Sequence, residues 1–191
     1  MAYKGVFMRS FIAIDLPTDI KEAISGVIRD LSAGASGIRW VPVENIHLTL
    51  KFLGEVKEDL VPTIEKQLRL SAERHQVFNI AVKGAGAFPN LRSPNVLWIG
   101  IEASVGLSSL FSDIDAGMSG LGFEPETRHF SPHLTIGRVR DKNGMEPAIR
   151  GLSTYKDTIF GTIDVQEIRL MKSVLKPAGS EYSGVAVIRL K

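Results

Sequence analysis

The chain has 191 residues and 20.9 kDa, with 44% hydrophobic content and 23 Lys and Arg against 21 Asp and Glu, a net charge of +2. Such a composition suits one domain or two intimately packed lobes, and the near-balance of charge excludes a massive phosphate-neutralising surface while leaving room for a local basic groove. The absence of Cys excludes a disulfide framework, a thiol nucleophile and a cysteine zinc site.

Residues 1–7 read as an extension ahead of the first strand, without the sustained apolar core and cleavage signature of a secretory signal. No apolar run reaches the ~18 residues that a membrane span needs, so no membrane partner is expected and a cytoplasmic location is. A strand over 8–14 is followed by Pro17-Thr18-Asp19, a helix start, and by apolar residues at Ile20, Ala23, Ile24, Val27, Ile28 and Leu31, the stripe of an amphipathic helix. The Gly- and Ser-rich segment 32–37 ends it. A short strand over 38–41 and a turn at 42–45 lead to a strand over 46–53, where Ile46, Leu48, Leu50 and Phe52 share one face and His47, Thr49 and Lys51 the other. A helix over 60–74 and a strand over 77–83 complete this half.

The second half repeats the order. A strand over 96–101 precedes a helix capped by Ser104, with Leu107, Leu110, Phe111, Ile114, Met118 and Leu121 as its apolar stripe. A short segment at 126–130 then precedes a strand over 133–139. A short helix near 146–152 and strands near 158–165, 167–174 and 185–190 follow. Ile12 and Trp98 stand at the same sequence offset as His47 and His133, so a strand, helix, strand, motif-strand unit recurs. The expected fold is α+β: a single bilobal domain over 1–191 in which two pseudo-symmetric lobes, each a mainly antiparallel sheet with helices outside, face each other across a cleft.

The recurring motif is His47-Leu48-Thr49-Leu50 and His133-Leu134-Thr135-Ile136. In a strand, residues i and i+2 share a face, so each copy presents an imidazole and a hydroxyl together while its aliphatic residues enter a core. Two imidazoles titrating near ~6.5 suit a reaction that removes one proton and delivers another. The hydroxyls of Thr49 and Thr135 add donors for a phosphoryl oxygen. One such motif alone reads as a structural polar face; the matched pair reads as chemistry.

Other features read more plainly. His129 and His133 have a chelating helical spacing, but Ser131-Pro132 favours an extended chain and no further ligands stand near, so no metal or other cofactor is expected. His75 reads as a surface residue closing a helix. Gly84-Ala85-Gly86-Ala87-Phe88-Pro89 lacks the signals of a nucleotide loop and reads as a turn between strands, and Ser108, Ser109 and Ser112 read as solvent-facing.

The chain resembles the two-histidine (2H) phosphoesterase superfamily, specifically the RNA 2′,3′-cyclic phosphodiesterases also described as 2′-5′ RNA ligases (LigT/ThpR-like). The resemblance rests on Arg9-Ser10-Phe11-Ile12-Ala13-Ile14-Asp15-Leu16-Pro17, on 39–54 from Arg39-Trp40 to Leu53-Gly54, on Phe88-Pro89 and Val96-Leu97-Trp98-Ile99-Gly100, and on 130–138 from Phe130-Ser131-Pro132 to Gly137-Arg138. Ser173 and Tyr182 fall where the family usually has Ser and Tyr, and Gly137 stands where Ala is commoner.

The resemblance implies metal-independent opening of a terminal 2′,3′-cyclic phosphate to a 2′-phosphate. His47 would protonate the departing 3′ oxygen, His133 would activate water, and Thr49 and Thr135 would hold the non-bridging oxygens. Arg138 would neutralise the phosphate, although strict alternation from His133 places it on the Leu134 face. Phe11 or Phe52 could stack a base, and each is equally well explained as core. The expected partner of the monomer is RNA ending in a cyclic phosphate, such as tRNA halves, or a small nucleotide. Reversal would give 2′-5′ ligation. The alternatives are hydrolysis of small cyclic-phosphate nucleotides or 2′-5′ oligonucleotides, and a non-catalytic RNA-binding module.

Overall fold

The alternation of apolar residues produces nine strands, and the 3.6-residue stripes four helices, in a computed structural model that describes residues 6–177 and 179–191. In chain order these are β1 (Phe7–Ile14), α1 (Thr18–Ser32), β2 (Ile38–Trp40), β3 (Leu48–Lys57), α2 (Val61–Ala72), β4 (Phe78–Phe88), β5 (Val96–Ile101), α3 (Val105–Ser119), β6 (His133–Val139), α4 (Glu146–Thr154), β7 (Ile159–Val165), β8 (Glu167–Lys176) and β9 (Gly179–Arg189). Of the expected extension, 1–5 lie outside the described residues, and Phe7 already belongs to β1. Among the described residues no helix is long and apolar enough to cross a membrane.

The strands form two antiparallel sheets, ordered β3-β1-β8-β9 and β2-β6-β5-β4-β7. Each motif strand thus lies beside the strand that precedes it by a helix, which is the expected pseudo-symmetry. The lobes nevertheless exchange elements in a way the order along the chain does not reveal. β2 and β4, read as part of the first half, pair in the second sheet, while β8 and β9 from the end of the chain complete the first. Helix α1 packs on β7 and α4 of the second lobe, and α2 and α3 pack together over β9 and β3 of the first. No regular element forms at 126–130; β2 itself is the short strand beside β6.

One continuous core runs through both lobes, with Ile12, Leu48 and Leu170 contributed by the first sheet and Leu97, Ile99 and Leu134 by the second. Ile20, Ile24, Val27 and Leu31 bury the stripe of α1. Ser104 Oγ accepts the Leu107 N–H at 3.1 Å and caps α3 as its sequence suggests. Two readings are corrected. Gly84 to Phe88 is no turn but the continuation of β4 after a bulge, made possible by Gly84 at φ +76°. His75 is buried rather than on the surface, its Nε2 2.8 Å from Asp113 Oδ2 on α3; the partner comes from a distant segment. Ser108, Ser109 and Ser112 are exposed, as read.

Candidate active site

Each histidine is held in the same way. His47 Nδ1 lies 2.8 Å from the carbonyl oxygen of Asn45, and His133 Nδ1 lies 2.7 Å from that of Ser131. A carbonyl only accepts, so the imidazole must carry a proton on Nδ1, and Nε2 is left as the nitrogen that can take up or release one. Asn45 is itself anchored, since its Nδ2 donates to the Ser180 carbonyl at 2.9 Å and so ties the turn before His47 to β9. Pro132 keeps the backbone before His133 extended, and its carbonyl accepts the Ile101 N–H of β5 at 3.2 Å. The residues 129–132 form no helix, which removes the chelating spacing of His133 and the exposed His129. Among the described residues no three His, Asp or Glu side chains cluster as metal ligands.

Thr49 and Thr135 follow on the cleft side of their strands, opposite Ala13 and Trp98 respectively. Beyond them the alternation breaks, and it breaks identically in both lobes. In β3 the register passes from Thr49 opposite Ala13 to Lys51 opposite Ile12, so Leu50 is the extra residue of a bulge. In β6 it passes from Thr135 opposite Trp98 to Gly137 opposite Leu97, so Ile136 is the extra residue. The bulges change which residues face the cleft. Lys51, expected beside His47, is turned into the interior, where its ammonium meets Asp115 of α3 and donates to the Glu124 carbonyl at 2.8 Å. Phe52, which strict alternation places on the face of Leu48 and Leu50, is 65% exposed opposite Phe11. Arg138 shares the face of His133 and Thr135, not that of Leu134, and is exposed.

Aromatic rings frame the two imidazoles. Phe11 is stacked on His47 with centroids 4.6 Å apart, and Tyr182 meets the same ring edge-on at 5.2 Å. Phe11 itself is buried beneath His47, Tyr182 and Phe52, which makes it a floor rather than an open stacking surface. Phe88 stands edge-on to His133 at 4.9 Å. Burial pushes the pKa of His47 below its ordinary value, against the upward pull of the Asn45 carbonyl and of Asp15. Tyr182 is the cross-strand partner of Ser173, which brings together the two tail residues noted in the sequence.

The motif strands β3 and β6 pack against one another where the lobes meet. Beside them lies a groove of about 540 Å³ lined by Arg39, Asn45, Arg138, Arg140 and Tyr182 among others. This is the local basic groove that the balanced composition allowed. Side chains of these types can take up and release protons, donate hydrogen bonds and offer positive charge to an anionic group such as a phosphate ester.

The model of the LigT-like phosphoesterase family matches the chain twice, at 14–98 and 99–182, one motif in each match. The chain belongs to the LigT-like phosphoesterase family. Membership makes it an enzyme of the phosphoester-cleaving class. An RNA 2′,3′-cyclic phosphodiesterase of Archaeoglobus fulgidus is 39% identical over 181 residues, 94% of this chain and 99% of that one. Among solved structures, TT0787 of Thermus thermophilus superposes with a TM-score of 0.82 at 27% identity, covering 96% of this chain and 98% of its own. Escherichia coli LigT complexed with 3′-AMP does so with 0.74 at 29% identity, covering 97% and 99%. These LigT-like folds share the two-lobed α+β architecture.

Proposed function

We propose that the chain opens the terminal 2′,3′-cyclic phosphate of RNA by metal-independent acid/base catalysis and leaves a 2′-phosphate. The observation that carries this reading is the twinned imidazole: two His rings, each with Nδ1 committed to a backbone carbonyl and Nε2 left over, one immediately before β3 and one opening β6, strands that pack together. The relatives named RNA 2′,3′-cyclic phosphodiesterase support the substrate.

In this mechanism the Nε2 of His133 takes a proton from water as its oxygen attacks phosphorus, and the Nε2 of His47 gives its proton to the departing 3′ oxygen. The P–O3′ bond breaks, the bond from water oxygen to phosphorus forms, and the proton load of the pair is exchanged between the two rings. Thr49 and Thr135 donate hydrogen bonds to the non-bridging oxygens, where negative charge concentrates in the transition state. Arg138 adds a fixed positive charge on the same face. Phe52 offers its exposed ring to the terminal base. A strained five-membered ring needs in-line positioning and charge stabilisation above all, which these side chains can supply. With a 5′-hydroxyl in place of water, the same steps join two ends through a 2′-5′ linkage.

The test is turnover of an oligonucleotide ending in a 2′,3′-cyclic phosphate. The intact protein opens the ring, and H47A and H133A each act at least about 10²-fold more slowly. A variant with a near-normal rate at saturating substrate removes that imidazole from the mechanism.

A further inference from the structure

Beyond His133, the cleft side of the second sheet continues into a cavity of about 780 Å³ over β4 and β5, on the side of β6 away from β2 and the groove of Arg138. Its size is that of a small-molecule or nucleotide site. Trp98 lines it, and the neighbouring strand is shaped to this ring. Gly86 is the cross-strand partner of Trp98, and a Cβ at Gly86 would stand 2.4 Å from the indole. Only glycine lets the ring lie across β4 with its remaining surface toward the cavity. The indole Nε1 is buried without a hydrogen-bond partner among the described residues. A buried donor left unsatisfied opposes folding, and a phenyl ring would pack there without it. What the indole adds is a wider aromatic plane beside the cavity.

The position of this plane relates it to the catalytic pair. Trp98 stands directly opposite Thr135, and Phe88 links it to His133 through ring contacts of 5.4 Å and 4.9 Å. At the cavity wall Lys83 is paired with Glu102 at 2.9 Å, whereas Arg92 and Lys156 enter no ion pair among the described residues. An aromatic plane flanked by unpaired cations is the combination that binds single-stranded nucleic acid through a base and its phosphate.

We propose that this cavity is the subsite for the nucleotide adjoining the cyclic-phosphate end of RNA. Its base stacks on Trp98, and Arg92 and Lys156 hold the connecting phosphate. The subsite rests on the reading of the chain as an RNA end hydrolase, and it makes the enzyme prefer an oligonucleotide to a single cyclic nucleotide.

The experiment compares kcat/KM for a nucleoside 2′,3′-cyclic phosphate and for a trinucleotide ending in the same cyclic nucleotide. In the intact protein the trinucleotide is the better substrate. In W98L the ratio of trinucleotide to mononucleotide falls roughly tenfold, the scale of one lost base stack. R92Q alters an exposed side chain, lowers the same ratio, and carries the test should W98L not fold. An intact protein that opens neither substrate overturns the hydrolase reading and the subsite with it. An intact protein that opens both without preference, or variants that lose both substrates in proportion, overturns the subsite alone.

Discussion

Phe11 lies stacked on the imidazole of His47, with 4.6 Å between ring centroids and 25° between ring planes. Together with Tyr182 at 5.2 Å it keeps water from the ring, and burial is the dominant influence that holds His47 below its ordinary pKa of 6.5. In the proposed mechanism the active form of the pair carries one proton, so kcat/KM should follow a bell whose acid limb reports the lower macroscopic value. Burial disfavours the charged ring, so His47 gains its proton only at lower pH than a free imidazole. The acid limb therefore lies below pH 6.5, and activity is lost as pH falls through it. Tyr182→Ala admits water to the ring and moves that limb upward. An acid limb at or above 6.5 in the intact protein, or one that Tyr182→Ala leaves in place, contradicts this account.

The bell alone does not distinguish acid from base, because one shared proton gives the same profile either way. A leaving group that needs no proton does distinguish them. With a ring bridged by sulfur at the 3′ position the departing group is a thiolate, whose conjugate acid has a pKa near ~8.5. The deficit of H47A should shrink by at least about tenfold on this substrate, while that of H133A should not. Recovery in H133A alone would exchange the two roles.

Phe52 and Arg138 occupy equivalent places after the two bulges, and truncating them should have different signatures. Phe52→Ala should raise KM by the loss of one base stack, about 1–3 kcal/mol, while leaving the melting temperature nearly unchanged. Were Phe52 a core residue, the same substitution would cost about 3–5 kcal/mol of stability. Arg138→Ala should lower kcat/KM by roughly ten- to hundredfold, the worth of a hydrogen bond to a charged group. Steady-state kinetics beside thermal unfolding separates these outcomes; an Arg138→Ala enzyme of normal kcat/KM would take Arg138 out of the site.

The ammonium of Lys51 is buried against Asp115 and the Glu124 carbonyl, joining β3 to α3 and the segment after it. Removing only the carboxylate leaves a cation in the interior, so Asp115→Ala should cost about 3 kcal/mol in urea unfolding. Replacing both partners, Lys51→Met together with Asp115→Leu, puts apolar chains in place of the pair and should be close to neutral. Equal losses in the two variants would mean that the pair stabilises the fold well beyond its desolvation cost.

Much of this arrangement is legible in the residues. The stripe of α1, the Ser104 cap, the two motif strands and the pairing of each His with a Thr all follow from local periodicity. Strict alternation fails at Leu50 and Ile136, because a bulge arises from pairing with β1 and β5 and leaves no local signature. Lys51, Phe52 and Arg138 are misplaced for that one reason. The charged Lys51 in an apparently polar phase hides the break in β3; Gly137 is a faint hint of it in β6. The extension of β4 through Gly84 and Gly86 is obscured because glycine reads as a turn, whereas here it accommodates Trp98 and a bulge. The exchange of β2, β4 and α1 between lobes is set by long-range packing, which a half-by-half reading does not capture.

The central claim is that paired imidazoles open the ring without a metal ion and from one side. The most direct measurement incubates the purified protein with an oligonucleotide ending in a 2′,3′-cyclic phosphate in the presence of EDTA, and separates the products against 2′- and 3′-phosphate standards. The expected result is accumulation of the 2′-phosphate at a rate that the chelator does not alter, because the proposed mechanism puts His47 beside the 3′ oxygen and brings water in line on the opposite side. Loss of turnover in EDTA, or a product that is mainly the 3′-phosphate, would contradict it.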